Sequence, residues 1–227
     1  MVGAGPDRPG TAETVSGPCQ AAPMSSNGLG NLASALRDVG SVVAELRDDQ
    51  WAASTPCGDW SVRQLTDHLV SGNLLFAAIL SGSPMPPPAE LRQRATEDTL
   101  GDDAAAAYQS AAQALLAAFE LPGALDQVHV FPVGPLPGHA AVHLRTVEAL
   151  VHGWDLATAT GQRLPPSTES VAGSLLDFSR ELRARIPEGR HPFGPSVAVA
   201  EGAPALDRLV ALLGRVPAGA QIGGRSS

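Results

Sequence analysis

The chain has 227 residues, of which 44% are hydrophobic, enough for one packed domain or one domain with a small appendage. Aromatic residues make up only 4%, so the core must be built from Ala, Leu and Val. A formal net charge of −8 argues against a nucleic-acid groove; that all 15 basic residues are Arg carries no functional weight.

Two cysteines, Cys19 and Cys57, make no disulfide framework, which fits a reduced, cytoplasmic protein. Residues 1–24 contain no apolar stretch of the kind a signal peptide needs and are expected to be a disordered extension, with Met24 a candidate start just before the ordered pattern. No run approaches the length of a membrane span, so no membrane partner is expected. The remaining boundaries are a folded unit over 25–217 and a disordered tail over 218–227.

The first helix is predicted at 27–48, where Leu29, Leu32, Leu36, Val39, Val43 and Leu46 alternate at three- and four-residue spacing, a narrow seam for a bundle. A loop over 48–59 carries Thr55-Pro56-Cys57-Gly58. The second helix opens at Ser61, which with Gln64 matches a capping box, while Trp60 and Leu65 are spaced for a hydrophobic staple. Leu65, His68, Leu69, Gly72, Phe76 and Ile79 form its stripe, and it should stop near Gly82, ahead of the Pro84–Pro88 run.

After a mostly polar connector, a third helix is predicted at 101–120, opened by Asp102 and Asp103 at its positive end. Its buried face is Tyr108, Ala112, Leu115, Leu116 and Phe119. The alternation in 127–131 suggests a short strand, and 132–137 reads as a loop. The fourth helix spans 138–160 with Gly161 as its stop. A fifth spans 168–186, burying Val171, Leu175, Phe178, Leu182 and Ile186, and a last one 203–214.

The fourth helix carries polar groups where a bundle wants Leu and Val. At about 100° per residue, Glu148 and His152 lie about 40° apart, and Asp155 falls about 20° from the Glu148 line. An unpaired buried carboxylate is costly, so Glu148 needs a compensating partner. A divalent cation held by Glu148, His152 and His68, the one histidine on the second helix's apolar stripe, is one answer. Three protein ligands would leave a fourth position open, as catalytic sites require. The competing answer is a set of neutral core histidines hydrogen-bonded to carboxylates. Asp155 either orients His152 from behind or pairs with an arginine. Trp60 and Trp154 read as packing residues, and Cys57 as a small buried hydrophobe rather than a reactive thiol. His143 and His139, about 140° and about 180° around the helix from Glu148, are expected to face solvent or a loop. His129 and His191 also read as structural.

The stretch Thr55-Pro-Cys-Gly-Asp-Trp-Ser-Val-Arg-Gln-Leu-Thr-Asp-His68-Leu-Val resembles the first signature of the mycothiol-dependent maleylpyruvate isomerase N-terminal family, within the DinB-like (DinB/YfiT) superfamily. Glu148-Ala-Leu-Val-His152-Gly-Trp-Asp-Leu-Ala-Thr-Ala-Thr-Gly161-Gln resembles its second. The segment from Phe193 to Arg215 resembles the close of an actinobacterial metal-binding subfamily without an assigned reaction.

The resemblance implies an all-α fold: a DinB-like four-helix bundle with additional C-terminal helices and at most a short β hairpin. It carries His68, Glu148 and His152 over as ligands of a divalent metal, Zn2+ or Ni2+, between the second and fourth helices. It implies mycothiol as thiol cosubstrate and a transferase or isomerase reaction on a small electrophilic substrate. Asp155 would act behind His152, Arg63 or Arg145 would contact an anion, and a homodimer is compatible with it. The isomerases' larger C-terminal domain has no counterpart of that size here, which argues against maleylpyruvate itself. A non-catalytic metal-binding bundle and a zinc-dependent hydrolase would use the same ligands.

Overall fold

The computed structural model describes residues 27–58, 60–94, 97–185, 193–218 and 220. The expected extension over 1–24 with Cys19 and Met24, most of the expected tail, His191 and Ile186 lie outside the described residues.

Seven α-helices, a short 3-10 helix (Asp48–Gln50) and one two-stranded sheet are described: α1 (Gly28–Ala44), α2 (Val62–Leu80), α3 (Pro88–Arg94), α4 (Ala104–Phe119), β1 (Val128–Phe131), β2 (Gly134–Pro137), α5 (Gly138–Thr160), α6 (Ser167–Arg185) and α7 (Ala205–Leu212). Helices α1, α4, α2 and α5 pack in that cyclic order as a four-helix bundle. Helices α6 and α7 pack on each other and against α5. The fold is thus the all-α bundle with additional C-terminal helices and a short hairpin that the sequence implies.

Local chemistry explains several boundaries. Ser61 caps α2: its hydroxyl accepts from the Gln64 amide at 3.3 Å, and the Gln64 side chain accepts from the Ser61 amide at 2.9 Å. Asp103 caps α4 by accepting from the Ala106 amide at 2.9 Å. Gly161 ends α5 in the left-handed region, with φ of 72°. The α1 seam is buried as its spacing predicts, with Leu32, Leu36, Val39 and Val43 in the core.

Three local expectations need correction. The stretch 132–137 is not all loop, because Gly134–Pro137 pairs antiparallel with β1, from Val128 opposite Pro137 to Phe131 opposite Gly134. The connector holds the short helix α3, supported by a 2.7 Å Arg94–Glu90 pair one turn apart. The third correction is His143, which is buried rather than solvent-facing and stands edge-on to Phe178 with ring centroids 5.2 Å apart. The physical reason is that α5 is interior on nearly every side: α1, α2, α6 and α7 all pack on it, and His143 lies between Phe178 of α6 and the start of α1 at Gly28. A helical wheel separates faces but does not say which of them meet water. His139 remains exposed at the start of α5, and His129 lies on β1 with its Nε2 3.0 Å from the Ala124 carbonyl.

Candidate metal centre

Helix α2 brings His68, and α5 brings His152, to one place. Their rings meet edge to face with centroids 5.1 Å apart. Trp60, just before the α2 cap, lies over His68 with ring centroids 4.7 Å apart. Its ring covers the histidine and is itself partly exposed, while Leu65 is fully buried in the core.

The two rings differ electrostatically. Burial, then the neighbouring His152 and then Arg145 push the His68 pKa down to about 3, so this ring stays neutral across the physiological range. Burial also works to lower the His152 pKa, but hydrogen bonds to Asp155 and Cys57 outweigh it and raise the net value. Of the pair, His152 therefore takes a proton first.

His152 Nδ1 is 3.2 Å from Asp155 Oδ2. Asp155 is fully buried and also accepts from Arg215, whose Nη2 lies 2.8 Å from Oδ2 and whose Nε lies 3.2 Å from Oδ1. A carboxylate held by a guanidinium is an acceptor, so the ring nitrogen facing it is the donor. In a neutral His152 that leaves Nε2 with the free lone pair. Asp155 thus contacts both partners named for it, His152 and an arginine.

Glu148 sits one turn before His152 on α5, near enough for its charge to favour protonated His152. Its Oε2 is held by Arg145, three residues earlier, which is itself only 1% exposed. Arg145 donates its other terminal nitrogen to Asn73 Oδ1 at 2.6 Å and lies over the Phe76 ring. Both Arg145 terminal nitrogens are thus engaged inside the bundle. Arg63, by contrast, is at the surface, paired to Asp98 at 2.6 Å.

Cys57, His152 and Asp155 also bring ligand atoms within 4.8 Å of one another. Arg215 lies among them, however, with Nη2 3.2 Å from Cys57 Sγ as well as on Asp155. A guanidinium already supplies the positive charge there, so this trio is organised around an arginine. The His68–His152 pair is a second arrangement: both rings offer nitrogen, His68 is held neutral and His152 is held from behind, while the carboxylate beside it, Glu148, is likewise engaged by an arginine, Arg145.

His68 is reached from two cavities. One, of about 480 Å³, is lined by polar side chains including Arg63, Gln64, Asp67 and Asp98, with Trp60 at its edge. The other, of about 370 Å³, is lined by Leu74, Leu75 and Leu91 with Arg94 beyond. Ser71 and Glu97 border both. Asp67 fixes the shared wall by accepting from the Thr99 amide and hydroxyl at 2.7 and 2.8 Å.

Sequence reasoning did not single out Arg215, Asn73 or the part Trp60 and Cys57 play at this site. Arg215, Cys57 and Trp60 carried a signal, as members of segments that resemble family signatures; Asn73 carried none. Trp154 packs against the core, as its reading predicts, whereas Cys57 is half-buried and touches polar groups.

The family described as mycothiol maleylpyruvate isomerase N-terminal domain matches residues 32–157. An uncharacterized protein of Mycobacterium tuberculosis, found in two strains, is 32% identical over 174 residues, covering 77% of this chain and 90% of its own. The crystal structure of the mycothiol-dependent maleylpyruvate isomerase superposes with a TM-score of 0.52 at 13% identity, covering 68% of this chain and 71% of that one. The structure of a histidine-to-alanine mutant of that isomerase gives a TM-score of 0.54 at 12% identity over the same shares. At such identities these two similarities concern the fold.

Proposed function

This chain belongs to the mycothiol maleylpyruvate isomerase N-terminal domain family, and from that premise we propose that it binds a divalent metal and acts as a thiol-dependent transferase or isomerase in the cytoplasm. The observation that carries the reading is the His68–His152 pair, with rings 5.1 Å apart, His152 buried and His68 half-buried where it lines two cavities. His68, His152 and Glu148 would hold the metal, zinc or nickel by donor type. When bound, such a metal would supply the Lewis acidity that keeps a coordinating thiol deprotonated at neutral pH.

The chain's own residues would do the rest. Asp155 holds the His152 ring so that Nε2 faces away from it. Trp60 screens His68 from bulk water. Arg145 balances the Glu148 charge and keeps that carboxylate on the α5 face. Arg63, on the rim of the polar cavity, is the anion contact available to a polar thiol such as mycothiol. The leucine-lined cavity suits the apolar part of a small electrophile.

Metal analysis of protein purified without a histidine tag tests this reading. His68→Ala and His152→Ala are expected to lose stoichiometric metal, and His143→Ala to retain it. Equal loss in His152→Ala and His143→Ala would overturn it. Calorimetry with mycothiol then separates catalysis from mere metal storage: thiol binding that depends on the metal supports the enzyme, and metal binding without thiol affinity supports a non-catalytic bundle.

A further inference from the structure

The family match ends at residue 157, yet the group that holds Asp155 comes from residue 215. Arg215 follows α7 and is only 8% exposed. Its amide bonds the Val210 carbonyl at 3.0 Å, and its Nη1 donates to the Leu213 carbonyl at 3.1 Å, so both backbone and side chain are tied to the end of α7. The turn before it is equally constrained. Gly214 has φ of 85°, and a Cβ built there would stand 2.6 Å from the Gly194 Cα. Arg183 on α6 in turn donates to the Gly194 carbonyl at 3.0 Å. The guanidinium therefore reaches Asp155 from a braced position, and it places three donor contacts on the two Asp155 oxygens.

We propose that Arg215 is a positioning residue for the metal centre: it clamps Asp155 so that Asp155 accepts from His152 Nδ1 and leaves His152 Nε2 as the ligand atom. The inference rests on the metal-binding reading of His68, Glu148 and His152. It extends that site to a C-terminal segment beyond the matched family domain. Asp155 needs the clamp because its carboxylate is completely buried, and a buried carboxylate with one imidazole partner has lone pairs to spare and freedom to turn. A planar fork fixes both oxygens, whereas a lysine ammonium would fix one point.

The test uses the full-length protein with Arg215→Met, Arg215→Lys, Asp155→Asn and the Arg215→Met/Asp155→Asn double variant. The first readout is the tautomer of His152 by ring 15N NMR on metal-free protein, above the pH at which the ring titrates. The wild type is expected in the Nδ1–H form, Arg215→Met as a mixture, and Arg215→Lys in between. The second readout is Zn2+ or Co2+ affinity in competition with a chromophoric chelator. Arg215→Met is expected to bind about 10–100-fold more weakly, Arg215→Lys less weakly than that, and the double variant no worse than the poorer single one. Wild-type tautomer and affinity in Arg215→Met would overturn the proposal, as would fully additive losses in the double variant. If Arg215→Met does not fold, wild-type values in Arg215→Lys would overturn it. A wild-type protein that binds no metal would sink the metal reading instead, and the tautomer arm would still decide what Arg215 does.

Discussion

Helix α5 carries two carboxylates seven residues apart, and an arginine holds each. Glu148 is held by Arg145 from the same helix, three residues away, and its side chain keeps 20% exposure. Asp155 is held by Arg215, 60 residues further along the chain, and is fully buried with both oxygens engaged. The first pair forms wherever α5 forms, because i and i+3 residues are neighbours on any helix. The second needs α6, the 193–199 segment and α7 to fold back first. One end of the site is therefore built by the helix itself, and the other is completed by the tail.

Substitutions can break this contrast. The largest effect is expected from Glu148→Ala, which strands the Arg145 guanidinium at 1% exposure. It should cost about 3–5 kcal/mol in urea unfolding, and Glu148→Gln, which keeps an acceptor oxygen, about half as much. A loss below about 1 kcal/mol would mean that the pair is not closed in solution.

Gly214→Ala acts on the tail-built end. It combines a left-handed backbone with an overlap onto Gly194 backbone, for a cost of about 2–4 kcal/mol. It should also blur the His152 tautomer while the Arg145–Glu148 pair persists. Gly72→Ala is the mirror experiment, since its Cβ would stand 2.9 Å from Arg145 Nη1. The opposing atom is a side-chain tip, so about 1–2 kcal/mol is expected, with His152 undisturbed. If both glycine variants moved the same NMR signals, the two ends would be one cooperative unit.

The pH dependence of stability sharpens the comparison between the two rings. The folded pKa of His68, near 3 against 6.5 for the ordinary ring, lies below its unfolded value. Its contribution is present above pH 6.5 and is lost as pH falls towards 3, because the unfolded chain takes up a proton that the native one refuses. His143, lowered by burial and then by His139, adds the same sign. His152 is raised, so its contribution is full below pH 6.5 and is lost as pH rises through its folded pKa. Thermal unfolding followed against pH should show an acid-side slope of at most about 1.4 kcal/mol per pH unit for each such proton. His68→Leu should flatten that slope and leave the alkaline side alone; an unchanged acid slope would remove His68 as its source.

Much of this was legible in residues close together along the chain. The capping box at Ser61, the stop at Gly161 and the α1 seam are decided within one or two turns, and they appear where the spacing puts them. The placement of His68 on the α2 stripe and His152 on α5 followed from the same periodicity, and the bundle brings the rings together. The Arg145–Glu148 pair was also legible, since i and i+3 charges of opposite sign sit in plain view. A carboxylate considered without the arginine beside it read as lacking a partner.

What the sequence by itself determined is the set of helices, their ends and the stripe each one offers, because backbone hydrogen bonds and side-chain periodicity act over a few residues. Only the tertiary structure decided that α6 buries His143, that Trp60 covers His68 and that Arg215 reaches Asp155. Those outcomes depend on which distant segment returns to a given face, and a buried charge takes its partner from whatever segment that is.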